Sequence, residues 1–321
     1  MLWIMGAIAV LYTMLGGMKA VIYTDTVQWI VLLAGLMLVA IPTAYIKLGG
    51  SAGIMPYLTD EMLSLKNISW QQIVNWSVTI IPIWFVGMTL YQRFFACKDE
   101  KTAKKAWYFA GVLEWPMMAF TGVILGMLAN VAIQKNLVPV EGGVLQDVEL
   151  GLPLLIKNIL PIGLTGIVMA AYFSAVLSTA DSCLMAGSGN VGGDLVPPHK
   201  KQSSRSIVRI SKIATLLIGL LAILLASTME NVLSLMLYAY AFMVSGLLVP
   251  VLAAIVFKKR HPFPALCSMI VGGGVSIGLI IANIELPYGL DANVFGLTAA
   301  VVVYALVEVM RKVLPGGSLL E

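Results

Sequence analysis

An all-α membrane protein of about nine transmembrane helices is the architecture this sequence predicts, and three observations predict it. The first is composition: 60% of the 321 residues are hydrophobic and 11% charged, with a mean hydropathy of +0.94, against about 45–50% apolar and about 25% charged in a soluble domain. The second is spacing, because polar breaks divide the chain into apolar stretches close to the roughly 20 residues that cross a hydrocarbon core about 30 Å thick. The third is charge, whose sign alternates from break to break as the positive-inside rule requires.

The predicted segments run over 2–18, 26–46, 74–92, 107–133, 161–188, 211–228, 232–257, 263–283 and 292–310. Charged or Gly/Pro-containing breaks separate them, and Trp3, Trp76 and Trp107 stand near segment ends, where indoles favour the membrane interface. Lys19, the 93–105 and 200–212 loops, residues 258–260, Arg311 and Lys312 are placed on the cytoplasmic side. Only Lys47, Lys66, Lys135 and Lys157 then remain outside, beside Asp60, Glu61, Glu141, Asp147, Glu149, Glu230, Glu285 and Asp291. The C-terminus falls in the cytoplasm, and the net charge of +4 reads as a topology signal with no nucleic-acid partner. Met1 falls outside, with neither a basic flank nor a cleavage site before the first helix. The chain is therefore expected to be an N-terminally truncated, C-terminal part of a longer protein; a nine-helix protein with an N-out first helix is the alternative.

The fifth segment carries the chemistry. "FSAVLSTADSCLMAGSGN", residues 173–190, sets Ser174, Ser178, Thr179, Asp181 and Ser182 inside an apolar run. At 3.6 residues per turn, Ala175, Ser178, Thr179 and Ser182 share one stripe, and Ser174, Ser178, Asp181 and Ser182 an overlapping one. Helix packing and bonding to the i−4 carbonyl account for a single membrane Ser or Thr. An acid is different: it costs about 2.5–3.5 kcal/mol on insertion scales and marks an ion path or a paired group. Hydroxyls and helix carbonyls give a small hard cation several oxygens without burying much charge. In "AVIYTDTVQW", residues 20–29, Asp25 reads either as the N-cap of the second helix or as a bundle-facing carboxylate for the same ion.

Other features carry less. Cys97, Cys183 and Cys267 offer neither a disulfide framework nor a metal pair. "GSGNVG", 187–192, matches G-x-G-x-x-G but follows an apolar helix where a nucleotide loop needs a strand, and reads as helix exit and packing surface. Glu114 and Pro116 mark a kink, with gating as the other reading. Pro82 in "IIPIWFVG" is expected to break a helix beside a substrate cavity, with Trp84 as its stacking surface and Tyr238 as a second lining residue; packing or interfacial roles also suit Tyr238 and Ser245. Gly122 with Gly126, and Gly274 with Gly278, are read as close helix contacts. His199 and His261 lack a second ligand at metal spacing. No face gathers a nucleophile, a base and an orienting group, so neither an enzyme nor a cofactor is expected.

"YTMLGGMKAVIYTDTVQWIVLLAG" (12–35) and "AAYFSAVLSTADSCLMAGSGNVGGDL" (170–195) closely resemble two signature regions of the sodium:solute symporter family, and "YQRFFACKDEKTAKKA" (91–106) resembles its cytoplasmic loop. The family includes sodium-coupled proline, pantothenate, choline and sugar transporters. The resemblance implies a partial five-plus-five inverted-repeat transporter fold, with 1–47 as the end of the first repeat, 74–257 as the second and 263–312 as two extra helices. It places the hydroxyl pair of a sodium site on Ser178 and Thr179 with the Ala175 carbonyl, and a second sodium site on Asp25 and Ser182 with Asp181 adjacent. Ile80 and Ile83 stand where sugar-carrying members have polar and tyrosine residues, which argues against a sugar. The implied function is symport of a small organic solute with sodium across a lipid bilayer; the alternative is a membrane-embedded sensory module derived from a transporter. The first core helix of the family is missing, so the stripe of Ser178, Thr179 and Asp181 is expected to face lipid or an open groove.

Overall fold

A computed structural model describes residues 2–140, 145, 147–196, 203–228, 232–256 and 261–313, and these form helices and turns with no strand among them. His199, Glu141, Glu230 and the basic run 258–260 lie outside the described residues. Two compact units result, one from residues 1–64 and 92–227, the other from 65–91 and 228–321.

Among the described residues, eight helical stretches are long and apolar enough to cross a membrane. The expectation of about nine counts the first stretch, Leu2–Lys47, as two. That stretch has 46 residues, roughly 69 Å of helix at about 1.5 Å per residue, far more than one crossing needs. It is kinked at Gly17, where φ is 62° and ψ −166° inside helix α1 (Leu2–Leu33). Only glycine adopts that backbone freely. A Cβ there would meet nothing within 4 Å, so Gly17→Ala should cost about 1–3 kcal/mol through backbone strain alone, read as a lowered thermal midpoint of the purified protein in detergent.

The first unit continues through a π-helical turn at Ala34–Ala40 into α2 (Ile41–Lys47) and α3 (Gly50–Ile54). The extra residue of a π turn offsets the following helix face, and here Gly35 packs so closely that a Cβ on it would stand 2.5 Å from that of Ala171. Helix α6 (Glu100–Gln134) begins where the Asp99 carboxylate accepts the Thr102 amide at 2.7 Å. That amide holds the Asp99 carboxyl below its ordinary range. The expected 93–105 loop therefore shrinks to 97–99, and Pro116 sits inside α6 without ending it. Helix α7 (Gly151–Ile159) was not expected; Leu155, Ile156 and Ile159 are its buried face. Helices α8 (Ile162–Asn190) and α9 (Ser204–Ala226) complete the unit. Leu36, Ala44, Leu125, Val131, Ile156 and Val168 centre its main core, and Val10, Leu184 and Ile223 tie α1 to α8 and α9.

In the second unit, α4 (Trp70–Val86) keeps Pro82 inside the helix and ends at Gly87, whose extended backbone turns the chain into α5 (Met88–Ala96); from Gln92 onward α5 belongs to the first unit. Helices α10 (Val232–Ile255), α11 (Pro262–Ala282) and α12 (Ala292–Val313) follow. Polar ties replace part of the absent hydrophobic drive within a bilayer. Asn75 donates to the Gly289 carbonyl at 3.1 Å and accepts the Asp291 amide at 3.0 Å, while Asn293 donates to the Val78 carbonyl at 3.1 Å and to the Thr79 hydroxyl at 3.0 Å.

One expected feature of the sequence takes another form. The GxxxG pairs are open: a Cβ on Gly122, Gly126, Gly274 or Gly278 would meet nothing within 4 Å. "GSGNVG" is the helix exit and packing surface that the sequence predicts: it ends α8, enters a π-helical turn at Val191–Leu195, and packs so closely that a Cβ on Gly192 would stand 2.1 Å from the Ser211 hydroxyl.

Candidate functional site

The polar stripe of α8 lies in the first unit and divides into two groups of oxygens. In the upper group, Ser178 donates to the Ala175 carbonyl at 3.0 Å and Thr179 donates to the same carbonyl at 3.2 Å. Both hydroxyls thus gather about one carbonyl, each keeping lone pairs for a further partner. Ala175 and Ser178 are half-buried and Thr179 is exposed. Beside this group is an apolar cavity of about 220 Å³ lined by Leu36, Met118, Thr121, Gly122, Tyr172 and Ala175. The Thr121 hydroxyl donates to its own Met117 carbonyl, which leaves the cavity little to hold water with.

The lower group is Asp181 and Ser182, one turn along. Asp181 is fully buried at 0% exposure, which corrects the expectation that it faces lipid or an open groove. The Tyr12 hydroxyl, from α1, donates to its carboxylate. A buried acid in a membrane helix needs such a partner, and the first arm of α1 supplies it.

Asp25 is not a cap. It lies within α1, eight residues beyond the kink at Gly17, and so its cap reading is overturned: its neighbours Thr24 and Thr26 bond backward to the Ala20 and Ile22 carbonyls as mid-helix residues do. Its carboxylate instead accepts from Arg93 at 2.5 Å. The same guanidinium nitrogen lies 2.5 Å from the Ser182 hydroxyl, which itself donates to the Ser178 carbonyl at 2.6 Å. Gln92 adds a bond to the Met185 carbonyl at 3.0 Å. The last turn of α5 thereby clips α1 to α8.

Of the sequence-predicted residues, the structure brings Ala175, Ser178 and Thr179 together, and brings Asp25 and Ser182 together through Arg93 with Asp181 next along the helix. Trp84 and Tyr238 belong to the second unit, at 44% and 49% exposure. Tyr12 and Arg93 were missed. Arg93 stands in "YQRFFA" at the end of an apolar run, where it reads as a topology charge; its paired role depends on contacts 68 and 89 positions away in sequence.

Comparison with known proteins agrees with this arrangement of helices. The chain is 26% identical to an osmoregulated proline transporter of Bacillus subtilis over 97% of its own length and 63% of that protein. It is 28% identical to a sodium/pantothenate symporter of Haemophilus influenzae over 91% of its length and 61% of that protein. The chain thus spans somewhat less than two thirds of these curated relatives. Its fold matches a solved structure of a Na+-coupled sialic acid symporter in a substrate-bound, outward-open state, with a TM-score of 0.67 and 22% identity, over 96% of this chain and 66% of that one. The profile of the sodium:solute symporter family matches residues 1–272, and this integral, multi-pass membrane chain belongs to that family.

Proposed function

We propose that this chain serves sodium-coupled symport of a small organic solute other than a sugar. Ala175, Ser178 and Thr179 form one sodium site, and Asp25, Asp181 and Ser182 contribute to a second. The observation that carries the reading is the gathering of two hydroxyls on one carbonyl along a partly open face of α8, in a chain of this family. Those are the neutral oxygen ligands a small monovalent cation takes. Trp84 and Tyr238 offer exposed aromatic surface to the solute. In this reading residues 1–47 end one repeat, 74–257 form the next and 263–312 add two helices, with the C-terminus in the cytoplasm.

No covalent step is needed, because coupling requires only that sodium bind one access state better than the other. One charge moved through 100 mV supplies about 2.3 kcal/mol, roughly fifty-fold accumulation of solute. The test is uptake by the transporter containing this chain in vesicles, with proline and pantothenate, the named solutes of its relatives, as first candidates. An inward sodium gradient should drive accumulation that a potassium gradient does not. Equal uptake under both gradients overturns the reading.

A further inference from the structure

We propose that Arg93 is a tethered cation that shares the Asp25 and Ser182 oxygens with a free alkali ion, so that each excludes the other. The inference rests on the reading of Asp25 and Ser182 as sodium ligands, and it assigns Arg93 control over when they are available.

The geometry carries it. A single guanidinium nitrogen sits 2.5 Å from an Asp25 oxygen on α1 and 2.5 Å from the Ser182 hydroxyl on α8. It is a positive centre bridging two oxygens on different helices, the position a bound ion would take. The Ser182 hydroxyl spends its proton on the Ser178 carbonyl at 2.6 Å, so it faces Arg93 as an acceptor and would face a metal ion the same way. The guanidinium does not exhaust the acceptors. The other Asp25 carboxylate oxygen and the Gln28 side-chain oxygen, one turn apart on α1, are both buried with no hydrogen-bond partner among the described residues. Buried acceptors without donors call for a cation or an ordered water.

Position and charge make the exchange feasible. Arg93 occupies the last turn of a nine-residue helix, and its side chain is 38% exposed while that of Asp25 is 18% exposed, so the guanidinium has a solvated place to withdraw to. Tyr12 holds Asp181 independently of Arg93. Withdrawal would therefore leave two fixed carboxylates, on α1 and α8, near a vacated positive centre, and a free monovalent cation restores the balance.

Equilibrium binding of radioactive sodium to the purified chain in nanodiscs tests this without requiring transport. A failure of uptake and a failure of competition are thus separate results. Arg93→Gln keeps hydrogen-bonding capacity and removes the charge; it should bind sodium at least tenfold more tightly than the parent, or bind one further ion. Arg93→Lys should return binding to the parent level, and adding Asp25→Asn to Arg93→Gln should abolish the gain. Sodium binding unchanged in folded Arg93→Gln overturns the proposal. Should that variant not fold, the parent protein decides: sodium, and not choline, should raise phenylglyoxal modification of Arg93, scored on its peptide by mass spectrometry. Modification indifferent to sodium overturns the proposal as well.

Discussion

Replacing Ser178 and Thr179 together by alanine should raise the sodium concentration for half-maximal uptake by roughly a hundredfold or more, while membrane abundance stays near that of the parent. Each hydroxyl lost removes a contact comparable with a hydrogen bond to a charged group, about 1.5–3 kcal/mol, and each 1.4 kcal/mol is about tenfold in affinity. The structural penalty is small because, among the described residues, both hydroxyls bond the Ala175 carbonyl of their own helix and no other group, a contact that slightly disfavours an α-helix. Each single variant should move the midpoint by about tenfold to a hundredfold. A sodium midpoint unchanged in the double variant would reduce the pair to helix packing.

Gly272→Ala should be the most damaging small substitution in the second unit. A Cβ there would stand 2.2 Å from the Ser245 carbonyl oxygen and 2.7 Å from the Ala300 Cβ. Neither atom belongs to a flexible side-chain end, so α10, α11 and α12 would have to separate. Overpacking a core costs about 1–3 kcal/mol, and more where the backbone must move; the upper end applies here, read as a large fall in melting temperature and in folded yield. The paired control is Gly274→Ala or Gly278→Ala, whose new methyl meets open space and improves helix propensity by about 1 kcal/mol. Equal stability of Gly272→Ala and the two controls would show that the three helices pack less closely than described.

That contrast shows what a sequence conceals. Spacing alone favours Gly274 and Gly278, which stand four apart, over Gly272, yet close approach depends on what the partner helix presents. Membrane crossing was legible because burial in lipid requires whole apolar segments, and the stripe on α8 was legible because hydroxyls and an acid stand out in such a segment. Boundaries were less so. The triplet Thr24, Asp25, Thr26 carries the local chemistry of a cap, but the break falls at Gly17, where backbone conformation and not side-chain chemistry interrupts the helix. Helix α7, only nine residues long, is too short for a membrane pattern and reads in the sequence as part of a loop. Arg93 and Tyr12 were invisible for another reason: each is defined by a partner on a distant helix, and periodicity holds no record of such pairs.

The kink at Gly17 also has a mechanical consequence. An unbroken helix transmits displacement along its axis as a stiff rod, whereas a helix with one residue out of register behaves as two struts on a joint. Tyr12, which holds Asp181, lies on one strut; Asp25, which holds Arg93, lies on the other. Tilting one arm need not tilt the other, so the joint leaves the two clasps on α8 mechanically separable.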